Sequence, residues 1–137
     1  MAWRKVTESD LISSLSQKEV NAFRTSSEFE HDPVEQLLAG IVAKVRGYIR
    51  ASRTVALDPD ESKIPEALVS DAMDYVRYEI LTRMNLVVNE SRTKAYERAV
   101  ETFKEVANGT FKVEPGVEPV PASSVAAPSI SVKPPIL

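Results

Sequence analysis

The residue types that do most protein chemistry are scarce in this chain and poorly spaced where they occur. The single histidine, His31, stands just ahead of a helix-capping aspartate, and cysteine is absent. A zinc site would rest on carboxylates alone, and thiolate nucleophiles and disulfides are excluded. His31 itself reads as a solvent-facing residue before a cap. The run Asp58-Pro59-Asp60-Glu61-Ser62 resembles the start of a calcium loop. Lys63 stands where the sharp-turn glycine belongs and Val69 where the bidentate glutamate belongs, so calcium is rejected. Gly40, Gly47, Gly109 and Gly116 are too scattered to cradle a phosphate. Asp71, Asp74 and Glu79 share a helical segment with Arg77 and Arg83. Spacings of three and four residues make Asp74–Arg77 and Glu79–Arg83 ion pairs, not a general acid–base couple. No catalytic, cofactor-binding or metal-binding residue is assigned, no cofactor is called for, and the chain is expected not to be an enzyme.

Three features suit binding better than catalysis. Lys44, Arg46, Arg50 and Arg53 form a basic cluster, with 46, 50 and 53 on one face near the end of a long helix. Cations there complement the negative end of the helix dipole, or they face phosphates or an acidic partner. In the same helix Gly40 and Gly47 each cost roughly 1 kcal/mol relative to alanine. Together with Ala39, Ala43 and Ala51 they form a small-residue stripe away from the Leu37/Ile41/Val45 face. Ala39, Gly40, Ala43 and Gly47 are therefore the candidate subunit interface, with tight packing inside the same domain as the alternative. The third feature is the tail. Residues 115–137 hold six prolines and only two charges, Glu118 and Lys133. Such a segment favours polyproline II and reaches on the order of 70 Å when extended. Val117, Val120, Val125, Ile130, Val132, Ile136 and Leu137 are spaced along it. These mark a partner-binding arm that docks by strand addition or in a groove, with a tail that stays disordered as the alternative.

The elements that must position these residues read as helices. Thr7-Glu8-Ser9-Asp10 caps a short helix with Leu11, Ile12 and Leu15, and Ser16 to Glu19 forms a capping box before Val20 and Phe23. Asp32-Pro33-Val34-Glu35 opens the longest helix, about 33 to 52, with Val34, Leu37, Leu38, Ile41, Val42, Val45, Tyr48 and Ile49 on one face. A loop over 53–64 precedes a helix from Pro65 to about Met84, with Leu68, Val69, Ala72, Val76 and Ile80 inward. Asn89 or Ser91 caps the last helix, which carries Ala95, Tyr96, Ala99, Val100, Phe103, Val106 and Ala107 and ends at Asn108-Gly109. Phe111-Lys112-Val113 suits a short strand or an extended strap. The expected fold is all-α: two short N-terminal helices plus three longer ones in a small bundle, residues 1–113, followed by a Pro-rich arm, 114–137.

The chain has 137 residues and a net charge of −3 from 17 basic and 20 acidic side chains. That length allows one domain of roughly 110 residues plus the tail. The near-neutral balance supplies no global field for nucleic acid. No run of 18 or more apolar residues exists, and none marks a signal peptide at the N-terminus.

Taken together, Ala43-Lys44-Val45-Arg46-Gly47-Tyr48-Ile49, Ile64-Pro65-Glu66-Ala67-Leu68 and Asp71-Ala72-Met73-Asp74-Tyr75-Val76-Arg77-Tyr78 resemble the Mu-like phage head–tail connector family. The matching elements are a "GY" helix, an "IP..L" helix start and an "A.D.ARY.L" helix. Arg92, Tyr96, Ala99 and Gly109 resemble its last helix, and Asp10-Leu11 with Glu19 its opening. The likeness covers roughly residues 7–113 and leaves the tail outside. It implies a structural adaptor of a tailed phage or prophage, assembled in the host bacterial cytoplasm and located in the virion at the head–tail junction. Members form a ring, typically of twelve subunits, beneath the portal protein. The ring extends the DNA channel, seats stopper or tail-completion proteins and passes DNA without binding it specifically. No membrane is involved. The alternative is a helical DNA-binding regulator that places the basic stripe on phosphates.

Overall fold

Among the residues that the structure describes, 3–13, 15–25 and 32–116 of a computed structural model, five α-helices and one very small sheet carry the chain. Strand β1 (Trp3–Lys5) leads into the short helices α1 (Glu8–Ile12) and α2 (Gln17–Thr25). Helix α3 (Pro33–Ser52) follows, then β2 (Lys63–Pro65), a single 3-10 turn (Glu66–Leu68), α4 (Val69–Arg83) and α5 (Glu90–Ala107).

Local chemistry explains the helix boundaries. Asp32 caps α3, its Oδ1 accepting from the Val34 N–H at 2.9 Å, while Pro33 fills the first position, where no donor is needed. Asn89 caps α5 in the same way, accepting from Arg92 N–H at 2.8 Å. At the end of α4 the left-handed Asn85 (φ 58°) closes the helix. Its N–H reaches the Thr82 carbonyl and that of Leu86 reaches Leu81, the two bonds of a Schellman ending. Gly109, with φ 85°, ends α5. Arg53 terminates α3 with φ 55°, a conformation that a residue bearing a Cβ adopts at a cost.

Helices α3, α4 and α5 pack into a three-helix core. Leu37, Ile41, Val45 and Ile49 of α3 meet Ala72, Val76 and Ile80 of α4 and Ala99, Phe103 and Val106 of α5, all buried. Phe103 lies between Tyr48 and Tyr75, with ring centroids 5.8 and 6.1 Å away, and Tyr96 stacks on Tyr78 at 3.9 Å. Leu11 of α1, Leu15 between the short helices, and Val20 and Phe23 of α2 join the same core.

The structure departs from the sequence expectation in two places. The helix expected from Pro65 starts as a 3-10 turn and becomes α-helical at Val69, because Pro65 closes strand β2. The N-terminal residues are not a bare lead-in: β1 pairs antiparallel with β2 in the register Trp3↔Pro65, Arg4↔Ile64 and Lys5↔Lys63. Of the two alternatives for Phe111-Lys112-Val113, the strap is the one found, and it runs on to Gly116. Trp3 Nε1 donates to the Glu114 carbonyl at 2.8 Å, and Gly116 N–H donates to the Ala56 carbonyl at 2.7 Å. A Cβ at residue 116 would collide with the backbone of Leu57 and Asp58, so only glycine allows this approach.

Candidate functional site

The basic cluster does not act as a unit. Arg46 points inward and is only 6% exposed. Its guanidinium donates to the carbonyls of Asp58 (2.6 Å), Asp60 (3.0 Å) and Lys63 (2.8 Å), and it lies 5.5 Å from the centre of the Trp3 ring. The acidic loop that resembles a calcium site thus does close around a cation, but the cation is this side chain. Three carbonyls are satisfied by a rigid fork, which fixes the 58–63 loop on α3 and carries β2 into place. Lys44 is exposed and turned to another flank. It donates to the Tyr75 hydroxyl at 2.8 Å and sits 4.9 Å from that ring's centre, a bond that holds its ammonium above the usual lysine range. Only Arg50 and Arg53 remain as neighbouring exposed cations at the end of α3.

The small-residue stripe lies where the sequence places it. Ala39, Gly40 and Ala43 are exposed and Gly47 is half-buried. A Cβ added at Gly40 or Gly47 would meet nothing within 4 Å. The stripe is a low ridge between two grooves. The larger, about 580 Å³, has Val6, Leu38, Ala39 and Val42 as apolar lining. Its polar lining includes Thr7, Ser62 and three carboxylates, Glu8, Glu35 and Glu61, drawn from three separate segments of the chain. Glu8 is already paired with Arg24 at 2.6 Å, whereas Glu35 and Glu61 make no ion pair among the described residues. The smaller groove, about 340 Å³, runs along the other flank past Gly40, Ile41, Lys44, Tyr75 and Arg83.

Carboxylates elsewhere are engaged structurally. Arg77 meets Asp74 at 3.4 Å and Arg83 meets Glu79 at 3.9 Å, as their spacing requires. Arg4 joins Asp10 at 2.8 Å and also Glu66, and Arg92 reaches Glu19 at 3.0 Å, tying α2 to α5. Burial, with the charge of Asp74 beside it, pushes the Asp71 carboxyl up. Among the described residues no group of three His, Cys, Asp or Glu side chains could hold a metal ion. His31 and the arm residues Val117, Val120, Val125, Ile130, Val132, Ile136 and Leu137 lie outside the described residues.

Two features of the surface escaped the sequence reading. Leu86 is 48% and Val87 96% exposed, at the tip of the α4–α5 hairpin. The acidic side of the large groove is assembled from β1–α1, α3 and the 58–63 loop, so no linear pattern announces it.

The sequence profile of the family described as Bacteriophage Mu, Gp36 matches residues 6–130. The chain belongs to this family. Membership makes it a bacteriophage protein, in agreement with the resemblance carried by the Gly47-Tyr48, Ile64-Pro65 and Asp71-to-Tyr78 elements. The Gp36 profile also corrects the extent of that resemblance. It runs well past Val113 into the Pro-rich tail, so most of the arm lies inside the family's own pattern. Neither the curated proteins nor the solved structures yielded a match. Among the described residues no helix is long and apolar enough to cross a membrane.

Proposed function

We propose that this Gp36-family chain is a non-catalytic head–tail connector of a tailed phage or prophage. In this reading it assembles as a ring, with twelve subunits as the expected number, beneath the portal protein. The ring lies at the head–tail junction of the virion, extends the DNA channel and seats stopper or tail-completion proteins. The observation that carries the reading is the family match over residues 6–130. A helical body whose longest helix leaves a small-residue ridge uncovered suits subunit packing, since small side chains let a second backbone approach. Ring closure then turns many modest contacts into a stable assembly.

The regulator alternative loses most of its footing. A phosphate-binding stripe needs its cations at the surface, and Arg46 is buried and donates to the carbonyls of Asp58, Asp60 and Lys63. Arg50 and Arg53 alone give a weak footprint for duplex DNA.

Native mass spectrometry separates the two. The full chain, and the chain cut after Gly116, are measured alone and with a portal from the same genome. The cut belongs after Gly116 because residues 114–116 are bonded to the body. Rings or portal complexes, weakened by removal of the arm, are the expected result. A persistent monomer that ignores the portal and binds duplex DNA with steep salt dependence sinks the connector reading.

A further inference from the structure

The large groove has an apolar floor and two carboxylates, Glu35 and Glu61, with no ion-pair partner among the described residues. That combination fits an extended apolar peptide bearing one cation. The chain carries such a segment. Ile130-Ser131-Val132-Lys133 alternates apolar and polar residues, Pro134-Pro135-Ile136-Leu137 follows, and Lys133 is the sole cation after Gly116. We infer that this segment, Ile130–Leu137, occupies the Glu35/Glu61 groove of its own chain in the free subunit.

The route is short. The strap is pinned at Gly116, against the backbone of Leu57 and Asp58, and the groove's lip at Glu61 belongs to the same loop. Three residues of chain span at most about 10 Å. The 13 residues between Gly116 and Ile130 cover roughly 20 Å as a flexible coil and about 40 Å as polyproline II, and either exceeds that gap. A tether of that length holds its end near the groove at an effective concentration on the order of millimolar, so the same chain outcompetes a neighbour in dilute solution. Ile130 and Val132 meet Leu38, Ala39 and Val42, and Lys133 meets Glu35 and Glu61. Glu8 contributes less, because Arg24 already holds it. This contact does not depend on the connector reading, since it concerns the free chain.

The absence of cysteine makes the test direct. A nitroxide is attached to the full-length Ser129→Cys chain, and paramagnetic loss of amide NMR signal is read at Glu35, Ala39, Val42 and Glu61. The expected result is selective loss at these residues within one chain. Loss is expected to vanish in Ala39→Arg, an exposed position whose substitution fills the groove without touching the core, and to diminish in Lys133→Gln. Mixing isotope-labelled, nitroxide-free chains with spin-labelled, unlabelled chains isolates contacts between copies. Loss seen only in that mixture, no loss at the groove, or loss that survives Ala39→Arg each overturns the inference.

Discussion

Trp3 and Glu114 are 111 positions apart and share one hydrogen bond, the indole N–H donating to the glutamate carbonyl at 2.8 Å. The bond joins β1 to the strap that leaves α5, and the indole ring centre lies 5.5 Å from the Arg46 guanidinium. Trp3 is the only tryptophan, so its emission reports this junction. Cutting the chain after Gly116 keeps this junction and should leave its emission unchanged. Cutting after Val113 removes the acceptor and should shift emission to the red. Trp3→Phe keeps a buried ring but removes this hydrogen bond, with an expected cost of about 1 kcal/mol beyond the lost packing. Identical behaviour of the two truncations would show that the strap contributes nothing.

Arg46, Arg50 and Arg53 look equivalent in sequence but should respond differently to substitution. Arg46→Met leaves three loop carbonyls without their donor and is expected to cost roughly 3 kcal/mol. Arg46→Lys should recover only part, because an ammonium lacks the planar fork. Arg50→Ala should be nearly neutral. Arg53→Gly relieves a left-handed φ of 55° and is expected to stabilise. The gain should be about 0.5 to 1 kcal/mol after the extra freedom glycine gives the unfolded chain. Urea unfolding of the four variants at neutral pH checks the pattern, and equal destabilisation at positions 46, 50 and 53 would contradict it.

Acid should act through opposed groups. Hydrogen bonding by Arg4 holds the Asp10 carboxyl below its ordinary value, and Arg92 does the same for Glu19. A depressed folded pKa means stability that is present above the unfolded value and lost as pH falls through the folded one. Asp71 is shifted the other way, raised by burial and by Asp74. Its charged form opposes folding at neutral pH, and that penalty disappears as the pH falls below its unfolded value. Asp71→Asn should therefore stabilise at pH 7 and do little in acid, whereas Asp10→Asn should destabilise at pH 7 and do little in acid. Denaturation midpoints across that range test both signs.

The helices were legible because their signals are local. Asp32-Pro33 and Asn89 sit at observed N-termini, Gly109 ends α5, and the apolar positions of α3 and α5 repeat at helical spacing. What stayed hidden depends on distant parts of the chain meeting. Trp3-Arg4-Lys5 has no strand pattern of its own and becomes β1 only because Ile64 and Pro65 arrive beside it. Arg46 has the spacing of a surface stripe, and the loop carbonyls that draw it inward have no side-chain signature. The acidic groove was illegible for the same reason, while the small-residue ridge was visible because it lies within one helix.

That ridge gives a prediction in which stability and assembly move apart. Gly40 and Gly47 are helical glycines with open space around them, so alanine at either position should stabilise the free chain by about 1 kcal/mol. A face that merely tolerates glycine would lose nothing from larger residues. A face that seats a neighbouring backbone would be pushed away by them. Gly40→Leu should therefore leave the melting temperature of the isolated chain at or above that of the parent, because no core atom is displaced. In native mass spectrometry the same variant should show fewer rings and more monomer. Unimpaired rings from a Gly40→Leu, Gly47→Leu double variant would remove Ala39, Gly40, Ala43 and Gly47 from the subunit interface. The glycines would then stand as local costs with no contact to offset them.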